Sequence, residues 1–321
     1  MGVNDAPQWL ISAFIRTCVG AGATASRAEL EAAVGRLLER WAEPGRIHHN
    51  VKHLVAVLAK VDQLAEETHH PDLVRLAAWY HGAVFSSEPT SAYAQRGGED
   101  EVASAALATS ELSALGVPEV AVARVAEIIT GIARHRSGHD IDVQALCDAE
   151  LATLAVEPQR YASYRRDVRQ EYVHIPTRDY LTSRIAILTK LLARKRLFAS
   201  PLGQPWEDPA RQNLIAELQQ LHDELDALPA EDSSRQRNGQ TASTDSASSP
   251  QEAGPASTAD ESVSGEDTAT RLVRIHGGAG SFGRGSAEVV AAAKRDPAPA
   301  IKRHEKRATE RELKRDLPGR S

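Results

Sequence analysis

Ten of the twelve histidines in this 321-residue chain lie before residue 230, and their spacing is the first hint of chemistry. His48 and His49 follow Pro44-Gly45-Arg46, and His53 comes four residues after His49. On a helix such a pair shares a face, so His49 and His53 can point into one site. His81 closes the apolar stretch Leu76-Ala77-Ala78-Trp79-Tyr80, where an imidazole is either a satisfied core residue or a ligand. His135 follows Ile128-Ile129-Thr130, and Asp148 opens Asp148-Ala149-Glu150-Leu151 in an otherwise apolar run. A carboxylate on a buried helix face needs compensation. A cation would supply it, and so would an arginine or a helix N-terminus. The chemistry these residue types suggest is capture of a divalent cation by imidazole nitrogen and carboxylate oxygen.

Helices have to position these groups. Val51, Leu54, Val55, Leu58, Val61 and Leu64 recur at spacings of three and four, which predicts one apolar stripe on a helix. Leu181, Ile185, Leu188, Leu191 and Leu192 repeat the pattern, and Val120, Ala123, Ile128 and Ile132 do so more loosely. Leu214, Leu218, Leu221, Leu225 and Leu228 form a narrow seam, read either as a closing core helix or as a homodimer contact through residues 211–228. Breakers separate the stripes at Pro44-Gly45, Pro71, Gly116, Pro118, Gly138, Pro158, Pro176 and Pro201. Convincing alternating strands are absent. The fold predicted is an all-α helical bundle of about seven to nine helices.

Composition limits the bundle to residues 1–229. All four tryptophans precede residue 210, and residues 230–270 are Ser, Thr, Ala and acids with almost no large apolar side chain. Such a segment cannot bury enough surface to offset chain entropy, so a disordered linker is expected there. Residues 271–321 carry thirteen Lys and Arg against six acids and are expected to form a basic low-complexity tail. The folded part is acidic overall, which argues against a nucleic-acid footprint on its surface. Two cysteines imply no disulfide framework and suit a reducing cytoplasm. No apolar run is long enough to span a membrane. Gly278 to Gly283 satisfies G-x-G-x-x-G, but without a surrounding βαβ unit the match is read as chance. His69-His70-Pro71 reads as a helix end.

Several of these segments together resemble the HD-superfamily metal-dependent phosphohydrolases. They are Trp41 to Arg46 with His49 and His53, Ala77-Ala78-Trp79-Tyr80-His81, and Glu99-Asp100-Glu101 with Ser104-Ala105. Thr130 with His135, Asp148 to Leu151, and Tyr161, Tyr164, Arg169, Glu171 and Tyr172 continue the series over roughly residues 8–225. The resemblance implies an all-α fold and a divalent metal ion (Mn, Fe, Zn, Co or Mg) that activates water against a phosphoester. The implied substrate is a small phosphorylated or nucleotide-like molecule. Carried over by position, the metal ligands are His53, His81 and Asp148, with His49 beside them. His135 is implied near the substrate phosphate or as an extra ligand. Arg46 and Arg169 are candidates to stabilise charge on that phosphate, and Tyr161, Tyr164 and Tyr172 either line a base- or sugar-binding wall or form core edges. For the two arginines, inter-helix salt bridges are the competing reading.

One departure bears on the chemistry. The family pattern places Asp directly after the second His, and this chain has Gly82 there. A two-metal centre is therefore not expected. Glu99, Asp100 and Glu101 follow closely and are candidates to restore a carboxylate or to act as general base. The same acids also read as an ordinary helix N-terminus. A domain that has lost turnover, and binds a nucleotide or a protein instead, is the alternative. His48 stands where the family usually has Tyr.

Overall fold

The computed structural model of the chain describes residues 8–88, 98–133 and 139–229, and the structural statements below concern these residues. The linker, the basic tail, the glycine-rich match and His135 lie outside them. Ten α-helices account for most of the described residues. They are α1 (Gln8–Gly20), α2 (Arg27–Trp41), α3 (Val51–Leu64), α4 (Pro71–Tyr80), α5 (Glu101–Ala114), α6 (Glu119–Ala133), α7 (Ile141–Leu151), α8 (Pro158–Glu171), α9 (Thr177–Leu192) and α10 (Glu207–Asp226). The one sheet among the described residues is a two-residue antiparallel ribbon. It pairs β1 (Phe85–Ser86) with β2 (Gly98–Glu99), Phe85 opposite Glu99. An all-α architecture is what the periodicity led one to expect. The helix count exceeds the seven to nine read from the breakers. The small-residue helix α5, with only Leu112 among its fully buried large side chains, carries no stripe that reveals it.

Local sequence accounts for most helix starts. Ser26 and Glu29 form a reciprocal capping box at α2. Asn50 accepts the Lys52 amide at the start of α3, Asp100 accepts that of Ala103 at α5, and Asp140 those of Asp142 and Val143 at α7. Pro71 and Pro158 occupy the first turns of α4 and α8, where no amide hydrogen is needed. His70, immediately before Pro71, bonds to the buried Asp142, which also accepts the amides of His69 and His70. The His69-His70-Pro71 run thus marks a helix start.

Two apolar clusters hold the helices together. The first, with Trp41, Trp79, Phe14 and the stripe Leu54, Leu58, Val61 and Leu64, packs α1 to α7. The stripe of α6 differs in phase from the sequence expectation. Val120 is 84% exposed, and the buried residues are Val122, Val125, Ile128, Ile129 and Ile132. Ala123 is exposed as well. With the helix beginning at Glu119, the spacing 122-125-129-132 is the set that shares one face. The second cluster gathers Tyr161, Val168, Tyr172, Tyr180, Leu188, Phe198, Leu214 and Leu221 from the last three helices and the segments between them. Leu214 and Leu221 are buried in it, while Leu218, Leu225 and Leu228 pack against it. The leucine seam of α10 therefore closes its own chain's core. Among the described residues, no helix is long and apolar enough to cross a membrane.

Candidate metal centre

Helices α3, α4 and α7 pack against one another and deliver three of four converging donors. His53 comes from the first turn of α3, His81 from the residue that ends α4, and Glu150 from the last turn of α7. Glu99 arrives from β2. One donor atom from each of the four lies within 4.8 Å of all the others. Glu150 Oε1 stands 3.3 Å from His53 Nε2, and its Oε2 stands 3.1 Å from His81 Nε2. Glu99 Oε1 is 3.6 Å from His81 Nε2.

These atoms are buried and poorly served by hydrogen bonds. Among the described residues, both ring nitrogens of His53, His81 Nε2, Glu99 Oε1 and Glu150 Oε2 have no hydrogen-bond partner. An unsatisfied buried polar group costs about 1–3 kcal/mol. The ion-pair approaches of Glu150 to the two imidazoles offset part of this, and what is left still calls for an explanation. A cation among them satisfies four ligand atoms at once. The ring of His81 is already oriented to receive one, with Nδ1 lying 2.6 Å from the Ala78 carbonyl. Donation to that carbonyl keeps the proton on Nδ1 and leaves Nε2 facing the carboxylates, as N–H in the metal-free ring and as the ligand atom once that proton is lost. The electrostatics agree. Burial alone would push the His81 imidazole toward neutrality, but Glu99, Glu150 and the Ala78 carbonyl outweigh it and raise its pKa to about 9. Burial opposes ionisation of Glu150 as well, yet His53 and His81 hold its carboxyl well below the usual range. Two carboxylates that favour positive charge on His81 so strongly favour a metal cation for the same reason.

A shell of rigid groups sets this geometry. The Trp41 indole lies beside both imidazoles, 5.4 Å from the His81 ring and 6.1 Å from that of His53, and its N–H donates to the Trp79 carbonyl. Arg46 is buried and donates to the carbonyls of Gly82 (2.7 Å), Ala83 (3.1 Å) and His49 (3.4 Å). Its guanidinium also lies over the rings of Trp41 and Phe85. It ties the loop after α4 to the loop before α3. Gly98 has φ 89°, a backbone conformation that favours glycine, so the residue that turns the chain into Glu99 is constrained by its conformation.

The remaining sequence candidates occupy other places. Asp148 is not among the four. Its carboxylate accepts the amides of Ala199 (3.1 Å) and Ser200 (2.6 Å) and the Ser200 hydroxyl. Burial raises its pKa, and these hydrogen bonds from Ser200 and Ala199 partly offset that. The compensation an Asp on this helix needed comes from backbone amides; the carboxylate that reaches the donors is Glu150. His49 faces Glu171 instead, at 2.6 Å between Nδ1 and Oε2. The other Glu171 oxygen accepts the amides of Ile47, His48 and His49. His49 contributes to the wall, its ring 5.4 Å from that of His53. Asp100 is spent as the α5 cap, and Glu101 sits in the first turn after it. Arg169 donates to the carbonyls of Tyr172 and Ile175 and stacks over Tyr180, and Tyr172 is buried in the second cluster. Among the described residues, neither Arg46 nor Arg169 forms the inter-helix salt bridge considered from sequence; carbonyl oxygens are their main partners.

The two carboxylates of the α7 segment therefore separate by experiment. Asp148→Ala removes three hydrogen bonds to a charged acceptor and should lower stability by about 3 kcal/mol. The variant should still take up as much metal as the wild-type protein, measured by elemental analysis alongside a denaturant curve. Loss of metal with unchanged stability would put Asp148 back in the site.

Compared with known proteins, the chain matches no family model, no curated protein and no solved structure. The functional reading therefore rests on the geometry of the site itself.

Proposed function

We propose that this chain is a metal-dependent phosphohydrolase of HD type, acting on a small phosphorylated or nucleotide-like substrate. The observation that carries the reading is the convergence of His53, His81, Glu99 and Glu150 with their donor atoms buried and lacking hydrogen-bond partners. Two imidazole nitrogens and two carboxylate oxygens suit Mn, Fe, Zn or Co, with no soft thiolate among them. When bound, such an ion polarises a phosphoryl oxygen and lowers the pKa of water. The protein's own part is positioning. The Ala78 carbonyl aims His81, Gly98 and the ribbon aim Glu99, and Trp41 covers the cluster. His48, whose ring lies 4.9 Å from His53 and 4.8 Å from Tyr164, forms the aromatic side of the site. Two buried unpaired thiols, Cys18 and Cys147, accord with a reducing cytoplasmic setting.

The second reading, a domain without turnover that uses its centre for binding or stability, has an observation in its favour. Arg46 and Arg169 direct their guanidinium groups at backbone carbonyls, and four protein donors match a closed coordination set. One experiment separates the two. Protein reconstituted with Mn, Fe, Zn, Co or Mg is assayed for phosphate release from phosphomonoesters and nucleotides. The phosphohydrolase reading expects multiple turnovers that disappear in His81→Ala. Stoichiometric metal uptake with a raised melting temperature and no phosphate release would favour the second reading.

A further inference from the structure

A Cβ placed on Gly82 would fall 2.4 Å from Glu99 Oε1, 3.2 Å from Glu99 Cδ and 2.6 Å from Trp41 Cη2. Real Cβ atoms essentially never come within 3.0 Å of such atoms, so the contacts at 2.4 and 2.6 Å could not stand. The space in front of the Gly82 Cα is filled by the Glu99 carboxylate and the edge of the indole. Of the two neighbours, the Glu99 carboxylate is the one that can swing aside. Trp41 is fully buried and held by its bond to the Trp79 carbonyl. The Glu99 backbone is held by its pairing opposite Phe85, and the next amide, that of Asp100, donates to the Val84 carbonyl. Its carboxylate, at the end of a flexible side chain, is the part that would move. The backbone at Gly82 is pinned too, because Arg46 donates to its carbonyl. Its φ is not among the positive ones, so backbone conformation does not demand glycine here.

We infer that Gly82 is a positioning residue for the metal centre: its missing side chain admits the Glu99 carboxylate to the donor set. This rests on the proposed metal site and assigns the origin of its fourth donor. A site with a side chain after His81 would exclude Glu99, and a site with Glu99 inside excludes a side chain at 82. A carboxylate beside His81 is thus supplied from a residue 17 positions after Gly82.

A double-mutant cycle tests the inference. Metal affinity, read by competition with a fluorescent chelator, is measured for wild-type protein, Gly82→Ala, Glu99→Ala and the double variant. Gly82→Ala should weaken binding by about 10–100-fold, the range for groups that orient metal ligands. In the Glu99→Ala background the same change should cost less than about 3-fold, because the carboxylate it displaces is gone. Equal losses in both backgrounds would mean that Gly82 acts through Trp41 or the loop, and would overturn the inference. So would unchanged affinity in Gly82→Ala. Melting temperatures of the chelator-treated proteins give a readout independent of metal. Gly82→Ala should lower the melting temperature more when Glu99 is present than when it is Ala, and an equal drop in both overturns the steric claim. Wild-type protein that takes up no metal would instead sink the underlying site, and that outcome is distinguishable because the melting-temperature cycle can still succeed.

Discussion

Glu150→Ala should reduce metal affinity at least about 100-fold, the upper end of what losing a ligand's supporting group costs. The carboxylate bridges the two imidazoles, with Oε1 toward His53 and Oε2 toward His81. Glu99 makes its close approach to His81, so it does not replace that bridge. Gln at this position keeps the size of Glu but removes its charge, so Glu150→Gln should fall close to Glu150→Ala. Isothermal titration with Mn or Zn on chelator-stripped protein checks both. A Glu150→Gln variant that binds as tightly as wild type would leave the two-carboxylate centre without support.

The largest effect on stability is expected far from that centre. Arg184 and Glu217 are both almost fully buried and joined by two hydrogen bonds of 2.8 and 3.1 Å. The Tyr161 hydroxyl also donates to Glu217, and Arg165 approaches it at 3.5 Å. Removing one partner leaves an uncompensated buried charge, so Glu217→Gln should cost about 3–5 kcal/mol. For a domain of this size that corresponds to a fall of roughly 10 °C in melting temperature. The pH dependence follows from sign. Burial opposes ionisation of Glu217, but Arg184 and Tyr161 hold its carboxyl below the ordinary value. Its contribution is therefore complete above the unfolded-state pKa of about 4.3 and is lost as pH falls through the lower folded value. Denaturant curves at pH 7 and pH 3 should show the wild-type advantage over Glu217→Gln shrinking on acidification. An advantage that stays constant between the two would rule out the ion pair as its source.

What could be read from sequence divides along physical lines. Helices announced themselves wherever large apolar residues recur, as in α3, and stayed hidden where small residues do the packing, as in α5. His53 and His81 were legible as ligands through the resemblance, since by residue type alone the imidazole at 81 fits a satisfied core residue as well. Glu99 was visible as a nearby acid, though a run of three acids gives no means of choosing among them. Structure selects it, because Asp100 caps a helix and Glu101 follows inside the first turn. Asp148 and Glu150 posed a harder choice. Residues two apart on a helix point about 200° away from each other, so only one of them can face α3 and α4. What decides is the loop at Ala199 and Ser200, whose amides claim Asp148 from 51 and 52 residues away. No local pattern encodes a partner at that distance. Arg46 shows the same limitation: its type suggested an oxyanion, while the loop geometry gives it three carbonyls.

The four donors come from positions 53, 81, 99 and 150, segments whose ends meet only in the finished fold. An ion seated among them would act as a cross-link between four stretches of chain, closing loops as a disulfide does. Its ligand atoms lie beside Trp41 and where packed helices meet, while the side chains of Glu99 and Glu150 keep 15% and 18% of their surface exposed. Release of the ion would require donors on all four segments to let go. The time an ion resides in the protein would therefore reflect the motions of those four segments together with the strength of their ligands.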